Sequence, residues 1–154
     1  MDKLYPVMLD LTEKLCIVVG GGKVALRKIK TLLDNNPGVL IKIISPFLCQ
    51  ELEAILKEEN YTATEQLTWL NREYKKGDVG GAFLVYACTG YHEINVSIAR
   101  EAREKGILVN CVSLPEESSF IVPASVVRGD LTISISTGGK SPALSKKNQG
   151  KNRS

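Results

Sequence analysis

The sequence predicts an α/β fold, a parallel sheet with helices on both faces. Three observations carry this expectation. Short apolar runs alternate with amphipathic stretches of roughly 10–15 residues, the rhythm of a parallel sheet with right-handed crossovers. Three consecutive glycines, Gly20, Gly21 and Gly22, join the first apolar run to the first amphipathic stretch. And 154 residues with 44% hydrophobic and 24% charged side chains suffice for one core of ordinary soluble composition.

Leu15 to Val19 (LCIVV) reads as a buried strand. A helix follows from about Val24 to Asp34, with Ala25, Ile29, Leu32 and Leu33 at helical spacing. Asn35-Asn36-Pro37-Gly38 stops it. Val39 to Ile44 (VLIKII) is the second strand, and Ser45-Pro46 ends it and opens a second helix reaching Asn60. Leu67 to Leu70 is a third strand and Lys75 to Asp78 a charged loop. Ala82 to Cys88 (AFLVYAC) is a fourth strand. A helix from Glu93 to Lys105 carries Ile94, Ile98 and Ala102 on one face and ends at Gly106. Ile107 to Val112 (ILVNCV) is the fifth strand. The rhythm then changes. Pro115 and Pro123 punctuate a loop, and Val126-Val127 and Leu131 to Thr137 flank Arg128-Gly129-Asp130 as a hairpin or antiparallel edge. The final KKNQGKNRS is polar and of disordered composition.

Gly20-x-Gly22-x-x-Ala25 stands after a strand and opens a helix inside a βαβ unit. That is the context of a Rossmann-like dinucleotide site. Gly20 permits the tight turn, and Gly22 lets a pyrophosphate approach the backbone. Ala25 lets the helix pack close to the sheet, and the helix's first N–H groups hold the phosphates. The alternative is a plain tight turn. The acid that usually holds a ribose about 20 residues on is absent, because the second strand ends at Ser45. A serine hydroxyl can still bond a ribose hydroxyl, and no arginine follows to take a 2′-phosphate, so NAD is favoured over NADP. Gly139-Lys140-Ser141 imitates the end of a P-loop, but position 134 is Ser and nucleotide hydrolysis is not expected.

The formal charge of +3 belongs to the end of the chain. Residues 140–154 hold five of the 20 basic residues and no acid, and without them 15 bases face 17 acids. No nucleic-acid footprint follows. Cys16, Cys49, Cys88 and Cys111 lack C-x-x-C spacing and His92 is the single histidine, so no zinc site is expected. Cys16, Cys88 and Cys111 lie in apolar stretches, as buried reduced cysteines do. No apolar run is long enough to span a membrane, and MDKLYPVMLDL lacks the form of a signal peptide. A cytoplasmic location is the expectation.

Several stretches together resemble one family: YPVMLDL at 5–11, VVGGGKVALRK at 18–28, ISP at 44–46, and the strand ending at Thr89 with Asn95 behind it. So do ILVNCV at 107–112, SSFIVPA at 118–124 and LTISISTGGKSPAL at 131–144. Over residues 3–145 the chain resembles the precorrin-2 dehydrogenase family, which also forms the amino-terminal part of sirohaem synthases. The resemblance implies NAD-dependent oxidation of precorrin-2 to sirohydrochlorin by a homodimer, with iron insertion in some relatives. It implies an NAD-binding domain over 1–112, a dimerisation and substrate region over 113–145, and a polar tail over 146–154. By position Gly20, Gly21, Gly22, Lys23 and Val24 match the cofactor loop, Ser45 and Pro46 the ribose region, and Thr89 the nicotinamide side.

Two departures stand out. The family's catalytic aspartate follows the fifth strand, and the matching residue here is Ser113. A serine is no general base near neutral pH without an activator. Glu116 and Glu117 follow within four residues as substitutes. The family also continues into a helical domain, where this chain runs into its polar tail. Precorrin-2 is rich in carboxylates, so cationic or N–H donors are needed. Arg128, Thr137, Gly138, Gly139 and Lys140 are the candidates, against a solvated hairpin charge and a simple turn. His92 follows Tyr91 as a loop residue near the substrate or in solvent. The alternatives to the dehydrogenase are an inactive tetrapyrrole- or NAD-binding carrier or sensor, and a sirohydrochlorin chelatase.

Overall fold

The computed structural model describes residues 4–138. They fall into two compact units, Leu9–Phe120 and a smaller unit of the described residues before and after it.

The larger unit runs β1 (Leu15–Val19), α1 (Lys23–Asn35), β2 (Leu40–Ile44), α2 (Gln50–Leu56), α3 (Glu59–Thr64), β3 (Leu67–Leu70), β4 (Leu84–Ala87), α4 (His92–Glu104) and β5 (Leu108–Cys111). The five strands form one parallel sheet in the order β3-β2-β1-β4-β5. The chain leaves β1 toward β2 on one side and later returns to β4 on the other, so the sheet switches direction beside β1. In register, Val19 stands beside Ile44 and Ala87, and Ala87 beside Cys111. The residues that follow these four share one carboxyl edge, where open α/β sheets bind ligands.

Alternation along the strands divides the core into two layers. Cys16, Val18, Ile41, Ile43, Leu84 and Tyr86 face Ala25, Ile29 and Leu32 of α1 and Leu52 of α2. Ile17, Val19, Val85, Ala87, Val109 and Cys111 face Ile98, Ala99 and Ala102 of α4. Helices therefore cover both faces, as expected, and each fully buried isoleucine contributes about 1.5–3 kcal/mol.

Two helices differ from the sequence reading. The second starts at Gln50 instead of Pro46, because the Cys49 N–H donates to the Gly21 carbonyl at 2.8 Å and holds the chain extended around the glycine turn. It also breaks into α2 and α3, where the Lys57 and Glu58 N–H groups tighten back onto Ala54 and Ile55. In α4 Ile94 is exposed, and Asn95, Ile98, Ala99 and Ala102 form the buried stripe. Near the end of that stripe Glu101 is also buried, accepting hydrogen bonds from the Tyr74 hydroxyl and the Gly77 N–H.

Beyond β5, a short 3-10 turn at Pro115–Glu117 leads to a segment that covers the sheet edge. The Ser118 and Ser119 hydroxyls each accept from a β5 N–H at 2.8 Å, those of Cys111 and Val109. Side chains thus stand where another strand would pair. In the smaller unit β6 (Ala124–Arg128) and β7 (Leu131–Ile135) form an antiparallel hairpin. Its two-residue turn has positive φ only at Gly129 (+56°), the sign pattern of a type II′ turn.

Candidate cofactor and substrate site

The three glycines have three different surroundings. Gly20 has φ +127° and donates its N–H to the Ile44 carbonyl, and a Cβ there would lie 2.5 Å from the Cys88 carbonyl oxygen. It is wedged between the ends of β2 and β4. A Cβ on Gly21 would lie 1.9 Å from the Phe47 carbonyl oxygen and 2.9 Å from Ser45 Oγ. Gly22 differs, since a Cβ there would meet nothing within 4 Å. It is the N-cap of α1, with no side-chain cap and no acid in the first turn. The helix start therefore presents its N–H groups to open space, with Lys23 and Val24 exposed beside it. A pyrophosphate fits such a cradle.

Ser45 is 3% exposed, and its hydroxyl accepts from the Phe47 N–H at 3.4 Å while packing on Gly21. Its side chain shapes the turn, and Pro46 and Phe47 are the residues that reach the surface there.

At the ends of β4 and β5 a single buried amide gathers four groups. Asn95, fully buried, accepts at Oδ1 from the Thr89 N–H (2.9 Å) and the Thr89 hydroxyl (2.7 Å). Its Nδ2 donates to the Thr89 carbonyl (2.9 Å) and to Ser113 Oγ (3.2 Å). Thr89 is half-buried and Ser113 exposed. Sequence reasoning noticed Asn95 without giving it a role. The available signal was an amide in line with Ile98, Ala99 and Ala102, where burial demands hydrogen-bond partners.

Glu117 does not substitute for a base at Ser113, because it is held by Arg103 at 3.0 Å and Arg100 at 3.4 Å of α4. Glu116 is exposed. Nor are the buried thiols nucleophiles: burial raises Cys88 to about 12 and Cys16 to about 11. His92 opens α4 and lines a cavity of 430 Å³ with Lys76, Arg100 and Glu104. In the smaller unit, Arg128 ends β6 as an exposed residue. Thr137 is half-buried, and the Gly138 N–H donates to the Ser136 hydroxyl. Gly139 and Lys140 lie outside the described residues.

Residues 7–124 match a family described as putative NAD(P)-binding, and residues 128–147 match the sirohaem biosynthesis protein central family. The chain is similar to siroheme synthase 1 of Aeromonas salmonicida, 37% identical over 146 residues, covering 95% of this chain and 29% of the relative. It is 36% identical over 142 residues to siroheme synthase of Thioalkalivibrio sulfidiphilus, covering 92% of this chain and 27% of the relative. It thus spans less than a third of the length of these curated relatives. Among solved structures it resembles SirC, a precorrin-2 dehydrogenase, with TM-score 0.77 and 29% identity over 97% of this chain and 69% of that one. By the match over residues 7–124, continued by the match that follows it, the chain belongs to the putative NAD(P)-binding family, in the form carried by sirohaem biosynthesis proteins.

Proposed function

We propose that the chain is an NAD-dependent dehydrogenase converting precorrin-2 to sirohydrochlorin. The observation that carries the reading is the open space before Gly22, at the uncapped start of α1 on the carboxyl edge of the sheet. The likeness to SirC and to the siroheme synthases supplies the substrate class. NAD is favoured over NADP because β2 runs into Ser45-Pro46-Phe47, with no arginine to receive a 2′-phosphate.

A bound nicotinamide would supply the hydride acceptor for oxidation of the macrocycle. The chain itself holds and orients. The first N–H groups of α1 hold the pyrophosphate, and Lys23 and Val24 flank it. Pro46, on the surface beside buried Ser45, borders the ribose. Thr89 and Ser113 stand at the nicotinamide end, and Ser113 carries no carboxylate to take the accompanying proton, which leaves to solvent at this exposed edge. Arg128, Thr137, Gly138, Gly139 and Lys140 supply charge and donors for the substrate's carboxylates. Exposed Tyr5, Val7, Met8, Val127 and Leu131 in the smaller unit support pairing with a second copy. No helix among the described residues is long and apolar enough to cross a membrane.

One observation favours a second reading. Ser113 carries no carboxylate and Glu117 is committed to two arginines, an arrangement suited to a carrier that binds without turnover. Reduced nicotinamide formed from precorrin-2, faster with NAD than with NADP, supports the dehydrogenase. Tight NAD binding without turnover supports the carrier. Metal insertion into sirohydrochlorin without NAD would make it a chelatase.

A further inference from the structure

The two hydroxyls at the ends of β4 and β5 do not have the same hydrogen-bond polarity, and one residue sets the difference. The orientation of the Asn95 amide is fixed by the backbone of Thr89. The Thr89 N–H needs an acceptor and its carbonyl a donor, and both find them on Asn95 at 2.9 Å. A flipped amide would oppose donor to donor and acceptor to acceptor. With Oδ1 and Nδ2 assigned, the hydroxyls follow. The Thr89 proton is used inward, on Asn95 Oδ1 at 2.7 Å or the Tyr91 carbonyl at 3.1 Å, and one Oγ1 lone pair accepts from the Tyr91 N–H at 3.2 Å, so the second lone pair of Thr89 Oγ1 is left for an outside donor. Ser113 Oγ instead accepts from Asn95 Nδ2, so its proton is free. Its protein alternative is Cys111 Sγ at 3.7 Å, a weak acceptor.

We infer that Asn95 is a positioning residue that makes Thr89 an outward acceptor and Ser113 an outward donor, a pair complementary to the primary carboxamide of a nicotinamide. This rests on the cofactor reading above. It gives Ser113 a role that needs no carboxylate: its hydroxyl donates to the carboxamide oxygen while Thr89 accepts from the carboxamide NH₂. It also predicts discrimination. A nicotinic-acid dinucleotide has no NH₂ for Thr89 and places a carboxylate against its lone pair, so it binds less well than NAD.

The test is equilibrium binding of NAD, its nicotinic-acid analogue and ADP-ribose, which lacks the ring, to the full chain and its variants. The native chain binds NAD more tightly than the acid analogue. Ser113→Ala, at an exposed position, weakens NAD about fivefold, the worth of one hydrogen bond, and leaves ADP-ribose unchanged. Asn95→Asp keeps the Oδ1 acceptor, turns the Ser113 proton inward and sets a carboxylate oxygen against the Thr89 carbonyl, so it weakens NAD at least as much as Ser113→Ala, with ADP-ribose again unchanged. Adding Ser113→Ala to Asn95→Asp costs nothing further. If Asn95→Asp does not fold, Ser113→Ala and Thr89→Val decide, the latter abolishing the preference for NAD over the acid. Equal losses for NAD and ADP-ribose, or unchanged NAD affinity, overturn the inference while leaving the cofactor reading intact. A native chain that binds neither NAD nor ADP-ribose overturns both.

Discussion

At the scale of single residues, adjacent glycines do different work, and substitution separates them. Gly22→Ala places a methyl group in open space at ordinary extended backbone (φ −89°, ψ −166°), so the fold keeps its melting temperature. NAD affinity falls about tenfold or more, because the methyl group stands in the space proposed for the pyrophosphate. Gly21→Ala drives its Cβ to 1.9 Å from the Phe47 carbonyl oxygen and destabilises the fold by about 1–3 kcal/mol, as overpacking does. Thermal melts with and without NAD distinguish the two. Ser113 is the other residue where chemistry and sequence part company. Ser113→Asp still receives the Asn95 Nδ2 hydrogen bond and adds a base, so kcat for precorrin-2 rises tenfold or more, within the range of general-base catalysis. The KM for NAD rises with it, because a carboxylate cannot donate. An unchanged kcat would show that Ser113 does not stand where the proton leaves. The glycine pattern was legible in the sequence because a turn's φ and a missing Cβ have a fixed spacing. The bonding of Asn95 was not, since its partners at Thr89 and Ser113 lie 6 and 18 residues away.

At the scale of elements, apolar periodicity identified all five parallel strands, because each has a buried layer to match, whereas the hairpin, whose strands are mostly exposed, was marked by the apolar stretches flanking Arg128-Gly129-Asp130. It failed where tertiary contacts overrule local pattern. Pro46 reads as a helix start, yet the bond from Cys49 to Gly21 delays the helix to Gln50. Ile94 reads as core, yet the stripe of α4 is rotated to bury Asn95 over the strand ends. The loop before β4 is held by Arg72, which donates to both Asp78 oxygens at 2.7 and 2.8 Å. The Arg72 hydrogen bonds hold Asp78 below its ordinary value of 3.8. A depressed carboxylate pKa contributes stability above the unfolded value, and that contribution is lost as the pH falls through the folded value. Asp78→Asn therefore lowers the melting temperature at pH 7, and the gap from the native chain closes in strong acid. Melts across that range check it. A gap independent of pH would show that Asp78 acts by shape instead of charge.

At the scale of the whole molecule, two core layers and one register bring Gly20, Ser45, Cys88 and Val112 to a common edge, and function is read from what lies just beyond it. The larger unit holds the residues proposed for the cofactor. The residues proposed for substrate belong to the smaller unit and the segment after it, which matches the sirohaem biosynthesis central family. That division explains why the proposed cofactor half is marked by a local motif, whereas the proposed substrate half rests on resemblance alone. The most direct test follows sirohydrochlorin and reduced cofactor together when the full chain meets precorrin-2 and NAD. The account predicts that the two appear one for one, and that Gly22→Ala slows both. Bound NAD with precorrin-2 left unchanged would contradict it.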